Sequence, residues 1–278
     1  MAYNKRKIFQ GDIIMKLGII GAGNMASAII GGIIKKGIIS GQEIICSSPV
    51  EAERKKAADS FGINVTADNK EVIEKSEIVL LAVKPQVIPI VAAEIKDTLK
   101  DEQLIISIVA GKSIAWYNEA FGRELKIIRT MPNTPALVGE GMTGVSPAPT
   151  VSEEETNKAL EILSSFGEAE VVPENLMDSV VAVSGSSPAY VFMMIEAMAD
   201  GAVKLGMPRA KAYKFAAQAV LGSAKMVLET GKHPGELKDM VCSPAGTTIE
   251  AVKVLEQEGF RASLIDAMEA CADISKKL

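Results

Sequence analysis

The stretch "KLGIIGAGNMASAI", residues 16–29, constrains the fold more than any other part of the chain. A short apolar strand pattern runs directly into Gly21, Gly23 and Ala26, and helical apolar spacing follows them. These three residues match the G-x-G-x-x-G/A fingerprint at its required place between a strand and a helix. Gly21 allows the tight turn, Gly23 lets a pyrophosphate approach the backbone, and Ala26 keeps the helix close to the sheet. The stretch therefore predicts a dinucleotide site rather than a simple tight turn.

Further apolar runs downstream predict the strands of one sheet. They are "EIICS" (43–47), "EIVLLAV" (77–83), "LIISIVA" (104–110) and "LKIIRT" (125–130), separated by helical or loop segments. Strands that alternate with helices indicate a parallel, doubly wound sheet. Ligands of such sheets lie beyond the carboxyl ends of the strands. We therefore expect loops 21–25, 47–49 and 82–86 to lie near the cofactor.

The end of the second strand bears on the choice of cofactor. An NAD site usually has Asp or Glu here, which binds the ribose hydroxyls. In this chain the strand ends in "CSSP", where Ser47 and Ser48 offer hydroxyls and no carboxylate is present to repel a 2′-phosphate. We therefore expect NADPH, with NADH also open. The later loop "RTMPNTPALVGEG" (129–141) has two close prolines, which suit either a rigid nicotinamide contact or a stiff connector.

Helical patterns replace strand patterns after "EAEVVP" (168–173). The predicted fold class is α/β, with an N-terminal Rossmann-like doubly wound sheet followed by an all-helical C-terminal dimerisation domain. The stretch 188–205 is apolar on most helical faces, which predicts an obligate homodimer at least, or a larger ring-like oligomer. We expect a dinucleotide-binding domain over 15–173 and a helical substrate-binding domain over 174–278. To the extension 1–14 we assign no function.

Composition narrows the classes of partner. The 278 residues carry a net charge of −5 and 4% aromatic residues, which argues against a nucleic-acid partner. The apolar stretch 180–205 is interrupted by charged and helix-breaking residues, so we expect no membrane span. Cys46, Cys242 and Cys271 are scattered without paired-ligand spacing, which predicts free thiols in a reducing cytoplasm and no metal site.

A polar turn in "VCSPAGTTIEAV", residues 241–252, precedes an apolar pattern of helical spacing. Thr247 and Glu250 have the spacing of a capping box, in which each side chain satisfies a backbone N–H. The alternative is an anion site, because unpaired N–H groups and the positive end of the helix dipole attract negative charge. Taken alone, the turn favours the cap.

The motifs together resemble the pyrroline-5-carboxylate reductase family. The resemblance covers nearly all of 15–278 and includes "LAVKPQ", "DSVVAVSGSSPAY" and "AKMVLETGKHPGELKDMVCSPAGTTIEA". It implies that Asn69 contacts the adenosine ribose, that Met131, Asn133 and Pro135 lie by the nicotinamide, and that residues 243–248 hold the substrate carboxylate. The chain departs from the family pattern at Ser187 and Ala245, where Gly is typical. Ala245 is harmless unless its backbone is left-handed.

The implied reaction is hydride transfer from NADPH to the carbon of a cyclic imine, which yields proline. A protonated imine is already electrophilic, so orientation matters more than a strong base or a metal. Thr248 is the predicted catalytic residue, with its hydroxyl by the imine nitrogen. The predicted substrate contacts are Ser243, Ala245, Gly246, Thr247 and Thr248. The predicted cofactor contacts are Gly21, Gly23, Asn24, Met25, Ser47, Ser48, Asn69, Ala82, Val83, Lys84, Pro85, Met131 and Asn133.

Two alternatives remain open on the sequence. One is an NADPH-dependent imine reductase that acts on a different cyclic imine. The other is a non-catalytic NADPH-binding regulator, although such a protein has no reason to keep a polar anion turn at 243–248. The β-hydroxyacid dehydrogenases share the layout but use a lysine in the long helix, and residues 160–202 contain no Lys, Arg or His.

Overall fold

A computed structural model of the chain describes residues 15–277, so the extension 1–14 lies outside the described residues. The strands are β1 (Met15–Ile20), β2 (Ile44–Ser47), β3 (Asn64–Thr66), β4 (Ser76–Leu81), β5 (Leu104–Ser107), β6 (Ile127–Met131), β7 (Gly141–Pro147) and β8 (Gly167–Val171). The α-helices are α1 (Asn24–Lys35), α2 (Glu51–Phe61), α3 (Asn69–Lys75), α4 (Ile88–Ile95), α5 (Ile114–Phe121), α6 (Glu153–Leu163), α7 (Met177–Val180), α8 (Ser187–Lys204), α9 (Arg209–Thr230), α10 (Pro234–Val241), α11 (Thr247–Gln257) and α12 (Phe260–Ser275).

One eight-stranded sheet, in the order β3-β2-β1-β4-β5-β6-β7-β8, forms the centre of the first part of the chain. The strands pair in parallel except for β6 and β7, which are antiparallel. Leu17 of β1 lies opposite Ile44 of β2 on one side and Ile78 of β4 on the other. The strand order reverses between β1 and β4, which is where a doubly wound sheet binds its ligand.

Helices cover both faces of this sheet, which explains why its central strands β1, β2, β4 and β5 are mostly apolar. Leu17 and Ile106 belong to the hydrophobic core on one face, with α1 and α6. Ile20 and Ile105 belong to the core on the other face, with α3, α4 and α5. The alternation of neighbouring residues between two cores is the period of a β-strand. The predicted doubly wound sheet is confirmed.

Two strands were missed by the sequence patterns. The three-residue β3 is too short for a recognisable period, and β7 reads "GMTGVSP", in which glycine and proline replace the usual apolar residues. Gly144 is required in β7 because a Cβ there would lie 2.8 Å from a methyl group of Val180. Apolar residues after Leu81 and Ser107 continue the sequence pattern past the strands, so the predicted strands are too long at their ends.

The described residues divide into two compact units, 15–185 with 273–277 and Ser186–Ala272. The second unit is helical. Apolar spacing with a proline near each start and Gly231 at the second end predicts helices over 186–206 and 207–231, and α8 and α9 match them. Helix α8 carries proline in its first turn, and α9 ends at Gly231 with φ 63°. Both features are preferred at those helix ends.

Candidate functional site

The glycine-rich loop lies between β1 and α1. Gly21 has φ 106°, and a Cβ there would lie 2.5 Å from the carbonyl oxygen of Ala82, so this position requires glycine. Gly23 is the N-cap residue of α1, its helix start has no side-chain cap, and a Cβ there would meet nothing within 4 Å. The first turn of α1 carries no acidic residue. Uncapped N–H groups at an open, positively polarised helix start suit a pyrophosphate.

The loop after β4 lies beside the glycine-rich loop. The N–H of Ala82 donates to the carbonyl of Ile20, 2.9 Å away, so the two strand ends are joined. Val83 and Pro85 are half-buried and Lys84 is exposed. The predicted contacts Ala82, Val83, Lys84 and Pro85 therefore lie together with Gly21, Gly23, Asn24 and Met25 at the carboxyl ends of β1 and β4.

The end of β2 lies at the same edge, because the N–H of Gly21 donates to the carbonyl of Ser47 over 2.9 Å. The Ser47 hydroxyl donates to Oδ1 of Asn69 over 2.7 Å, and Nδ2 of Asn69 donates to Glu94 over 2.8 Å. Ser47 is fully buried and Ser48 is 2% exposed. The structure thus brings Ser47, Ser48 and Asn69 together, with both serine side chains turned inward.

A carboxylate at the end of β2 escaped the sequence analysis. The hydroxyl of Ser48 donates to Oε2 of Glu53 over 2.6 Å, so the expectation of no carboxylate beside this strand end was wrong. The first turns of α2 bring Glu53 back over the strand, which the strand's own sequence could not indicate. Burial first, and the charge of Glu53 second, raise the pKa of the neighbouring Cys46 thiol to about 12.

Asn133 holds the loop after β6 in place. It is 8% exposed, its Oδ1 accepts the N–H of Met142 over 2.8 Å, and its Nδ2 donates to the carbonyl of Ser184 over 3.0 Å. Met131 packs against Gly185, where a Cβ would lie 2.9 Å from the Met131 Cε. Residues 181–185 form a π-helical turn, a geometry found often at functional sites. The structure thus places Met131 and Asn133 at the carboxyl end of β6.

The second unit contains the turn 243–248. The N–H of Gly246 donates to the carbonyl of Ser243 over 3.0 Å, and Gly246 is the N-cap residue of α11. A capping box of Thr247 with Glu250 was wrong: Thr247 is the first helical residue, and the helix start has no side-chain cap. An N-cap side chain must lie outside the helix to reach back to its N–H groups. The first-turn N–H groups of α11 are therefore left without that cap.

Ala245 is the one non-glycine residue of the described chain with a positive φ, at 55°. This is the left-handed region, which disfavours a residue with a Cβ. Alanine in place of glycine is therefore not harmless at position 245. Ser243, Ala245 and Thr247 are exposed, while Gly246 and Thr248 are half-buried. The five predicted substrate contacts form one short polar turn.

Large apolar side chains are exposed on the helical unit. Phe192 is 63% exposed, Met193 69% and Phe215 64%. A cavity of about 780 Å³ in this unit is lined by apolar side chains, among them Tyr190, Met194, Met198, Leu255, Phe260 and Leu264. Among the residues described, Glu174–Lys204 is the one helical stretch long and apolar enough to cross a membrane by length and composition. Homodimer interfaces are likewise more apolar than the rest of a protein surface.

Comparison with known proteins identifies both parts of the chain. Residues 174–278 match the family model described as "Pyrroline-5-carboxylate reductase dimerisation", and residues 16–111 match "NADP oxidoreductase coenzyme F420-dependent". The compact units divide between 185 and 186, whereas the dimerisation model begins at 174, so the domain boundary expected at 173/174 stays a prediction.

Relatives that match over nearly their whole length identify the same family. A pyrroline-5-carboxylate reductase of Escherichia coli is 55% identical over 95% of this chain and 98% of its own length. One from Methanosarcina acetivorans is 47% identical over 95% of this chain and 97% of its own. The structure of such a reductase from Coxiella burnetii aligns with TM-score 0.89 at 34% identity, covering 95% of this chain and 98% of that one. The structure of a pyrroline carboxylate reductase from Plasmodium falciparum with NADP bound aligns with TM-score 0.86 at 33% identity, covering 96% of this chain and 99% of that one. With its dinucleotide fold and polar helical turn, the chain belongs to the pyrroline-5-carboxylate reductase family.

Proposed function

We propose that this protein reduces the cyclic imine 1-pyrroline-5-carboxylate to L-proline with NAD(P)H, the last step of proline biosynthesis. The observation that carries the proposal is 55% identity over 95% of the chain with a protein named for this reaction. The oxidoreductase match over 16–111 supports a nicotinamide cofactor. We expect NADPH to be used at least as well as NADH.

The residues of the first unit fit such a cofactor, which would supply the hydride. The open, uncapped start of α1 at Gly23 supports pyrophosphate binding there. Asn69 and Ser47, which are joined by a hydrogen bond at the end of β2, support an adenosine ribose site. Met131 and the loop fixed by Asn133 support a nicotinamide contact at the carboxyl end of β6. In this proposal the side chain of Asn133 positions the loop, since both its polar atoms already bind backbone groups.

The turn 243–248 is our candidate for binding the substrate carboxylate. Its support is the uncapped N-terminus of α11, an 11-residue helix whose first N–H groups and dipole favour an anion. The imine enters protonated, its carbon receives the hydride, and its nitrogen retains its proton as a secondary amine. We propose that the Thr248 hydroxyl lies by that nitrogen and orients the ring, because the half-buried Thr248 is less exposed than Thr247.

We further propose that the enzyme is cytoplasmic. It assembles at least as a homodimer, and any larger ring-like oligomer is built from such dimers. The exposed apolar side chains of the helical unit support the dimer. The family model over 174–278 is named for dimerisation, which supports the same region as the interface.

The decisive experiment adds 1-pyrroline-5-carboxylate to the purified protein with NADPH. We expect loss of absorbance at the reduced nicotinamide band and stoichiometric proline. Binding of NADPH without oxidation would instead identify a non-catalytic regulator. A panel of cyclic imines with and without the carboxylate separates this enzyme from other imine reductases, because only a carboxylate-binding enzyme favours the acid.

The threonine pair provides a matched test of the site. Thr248→Ala should lower kcat/KM for the imine by about ten- to a hundredfold, which is a loss of roughly 1.5–3 kcal/mol in the transition state. Thr247→Ala deletes the same atoms one residue away and should leave kcat/KM nearly unchanged. NADPH affinity should be intact in both variants. The assignment of Thr248 fails if Thr247→Ala is the variant that loses activity.

A further inference from the structure

We infer that two neighbouring residues of opposite charge, Glu53 and Arg54, set the choice between NADPH and NADH. Arg54 attracts the 2′-phosphate of NADPH, whereas Glu53 repels it and accepts a hydrogen bond from the 2′-hydroxyl of NADH. The inference rests on the proposed cofactor site but not on the identity of the imine. It predicts a cofactor preference that single substitutions shift in opposite directions.

The hydroxyl of Ser48 is already committed. It donates to Oε2 of Glu53 over 2.6 Å and accepts the N–H of Val50 over 3.2 Å. A hydroxyl has one proton to donate, and the side chain here is 2% exposed. Ser48 therefore has no donor left for a phosphate, and its hydrogen bond instead fixes the Glu53 carboxylate at the strand end.

Arg54 is also held at Ser48. Its Nη1 donates to the carbonyl of Ser48 over 2.6 Å. A guanidinium carries five N–H donors, so four remain after this bond. The side chain is half-buried, whereas Glu53 is exposed. Arginine held in this way is suited to bind a phosphate through two parallel N–H groups.

The location is the place where a dinucleotide fold distinguishes its cofactors. Glu53 and Arg54 both bind the residue after β2, and the carbonyl of Ser47 in β2 accepts the N–H of Gly21. In such folds an acidic residue near this strand end binds the ribose hydroxyls of NAD, and an arginine accommodates the 2′-phosphate of NADP. This chain carries both groups, one residue apart. A 2′-phosphate bound here would be attracted by the guanidinium of Arg54 and repelled by the carboxylate of Glu53.

Neighbouring charges supply matched controls. Glu51 is in the first turn of the same helix, and no hydrogen bond joins it to Ser48 among the described residues. Lys55 follows Arg54 but pairs with Asp59, 2.9 Å away. Glu51→Gln and Lys55→Gln therefore change the charge of α2 by the same amounts as Glu53→Gln and Arg54→Gln. Glutamine at 53 keeps an acceptor for the Ser48 hydroxyl, so the strand end stays fixed.

The test measures binding, by calorimetry of the full chain, with two probes that lack the nicotinamide. Adenosine 2′,5′-bisphosphate carries the 2′-phosphate, and adenosine 5′-monophosphate carries the 2′-hydroxyl. Glu53→Gln should tighten the bisphosphate about tenfold and leave the monophosphate unchanged or weaker, and Arg54→Gln should weaken the bisphosphate about tenfold with little effect on the monophosphate. Affinities of NADPH and NADH should shift in the same directions, and less at high salt.

The controls determine how the result is interpreted. Both control variants should change the bisphosphate affinity by less than about threefold, because surface charges that do not contact the ligand are screened. Equal effects of Glu51→Gln and Glu53→Gln would mean that only the net charge of α2 matters, and would overturn the inference. So would a Glu53→Gln variant that binds both probes as the unmodified chain does. Since neither probe can be oxidised, a failure to reduce the imine leaves this test intact.

Discussion

Ala245 adopts a backbone conformation that its own side chain disfavours. With φ 55° it lies in the left-handed region, where the Cβ of an L-residue crowds the following carbonyl. Strain of this kind persists where the surroundings hold it, and it clusters at binding sites. The turn 243–248 is our candidate carboxylate site, so the strained residue lies where the backbone N–H groups must be aimed.

The strain at Ala245 predicts a stabilising substitution. Ala245→Gly should raise the free energy of unfolding by a net of about 1 kcal/mol. Glycine removes the Cβ contact, and this gain exceeds the loss caused by the greater conformational entropy that glycine gives the unfolded chain. Denaturant unfolding at one fixed protein concentration measures it. Ala251→Gly, within α11, is the matched control and should lower stability by about 1 kcal/mol. A loss of stability in both variants would contradict strain at Ala245.

At the scale of elements, sequence patterns located what depends on local periodicity. The buried strands β1, β2, β4, β5 and β6 and the long helices α8 and α9 follow from apolar spacing and end signals. The patterns failed where a distant contact decides. Strand β7 exists because β6 and β8 pair with it, despite its glycines. The predicted cap at Thr247 fails because the preceding turn begins the helix one residue earlier.

The loop after β6 depends on a single buried amide. Asn133→Ala would leave the N–H of Met142 and the carbonyl of Ser184 without this partner, which should cost roughly 1–3 kcal/mol of stability. It should also lower kcat, because the loop directly follows Met131, the proposed nicotinamide contact. Asn118→Ala removes another amide that holds a backbone N–H, that of Leu125 over 3.0 Å, which precedes the amino end of β6. That variant should lose stability but keep its kcat. Equal kcat in both variants would show that Asn133 only supports folding.

A true capping box stands at the start of α6, and it predicts a pH dependence. Glu155 binds Lys126 over 2.7 Å and reaches back to Ser152, and these bonds lower its pKa to about 2. A carboxyl whose pKa is depressed in the folded state stabilises above its unfolded pKa and loses that contribution as pH falls through the folded value. Glu155→Gln should therefore lower the free energy of unfolding by about 1 kcal/mol at pH 7. The difference in stability between this variant and the unmodified chain should disappear between pH 5 and pH 2.

The control for this pair is Glu154→Gln. Its partner Lys158 is 2.7 Å away, but both side chains are largely exposed, so the pH-dependent difference from the unmodified chain should be much smaller. Denaturant midpoints at matched protein concentration and stepped pH report both variants. A stability difference for Glu155→Gln that stays constant down to pH 2 would show that neither the Lys126 pair nor the Ser152 cap depends on the charge of Glu155.

At the scale of the whole molecule, the order of motifs allowed the family and the two-part architecture to be predicted. The doubly wound sheet and the glycine-rich loop follow from the alternation of strands and helices, but the full strand order does not, since β3 and β7 were missed. The Glu53 carboxylate beside Ser48 could not be foreseen, since it reaches the strand end only through the direction of α2. Side-chain hydrogen bonds across a turn depend on atomic placement, which residue spacing does not encode. Cofactor preference is therefore the property that sequence patterns define least.

Assembly is the remaining prediction at this scale. Phe192, Met193 and Phe215 are more than half exposed on the helical unit, a cost that a partner surface would remove. We expect light scattering at micromolar concentration to report two subunits or a multiple. Met193→Lys should weaken association by about a hundredfold or more, since an unpaired charge would be buried at the interface. The folded protomer should tolerate it, because the side chain is 69% exposed there.

Ile90→Lys is the matched control. It changes an equally exposed residue, 70%, on α4 of the dinucleotide unit and should leave the mass of the assembly unchanged. A stable monomer of the unmodified chain, or equal masses for Met193→Lys and Ile90→Lys, would place the interface elsewhere.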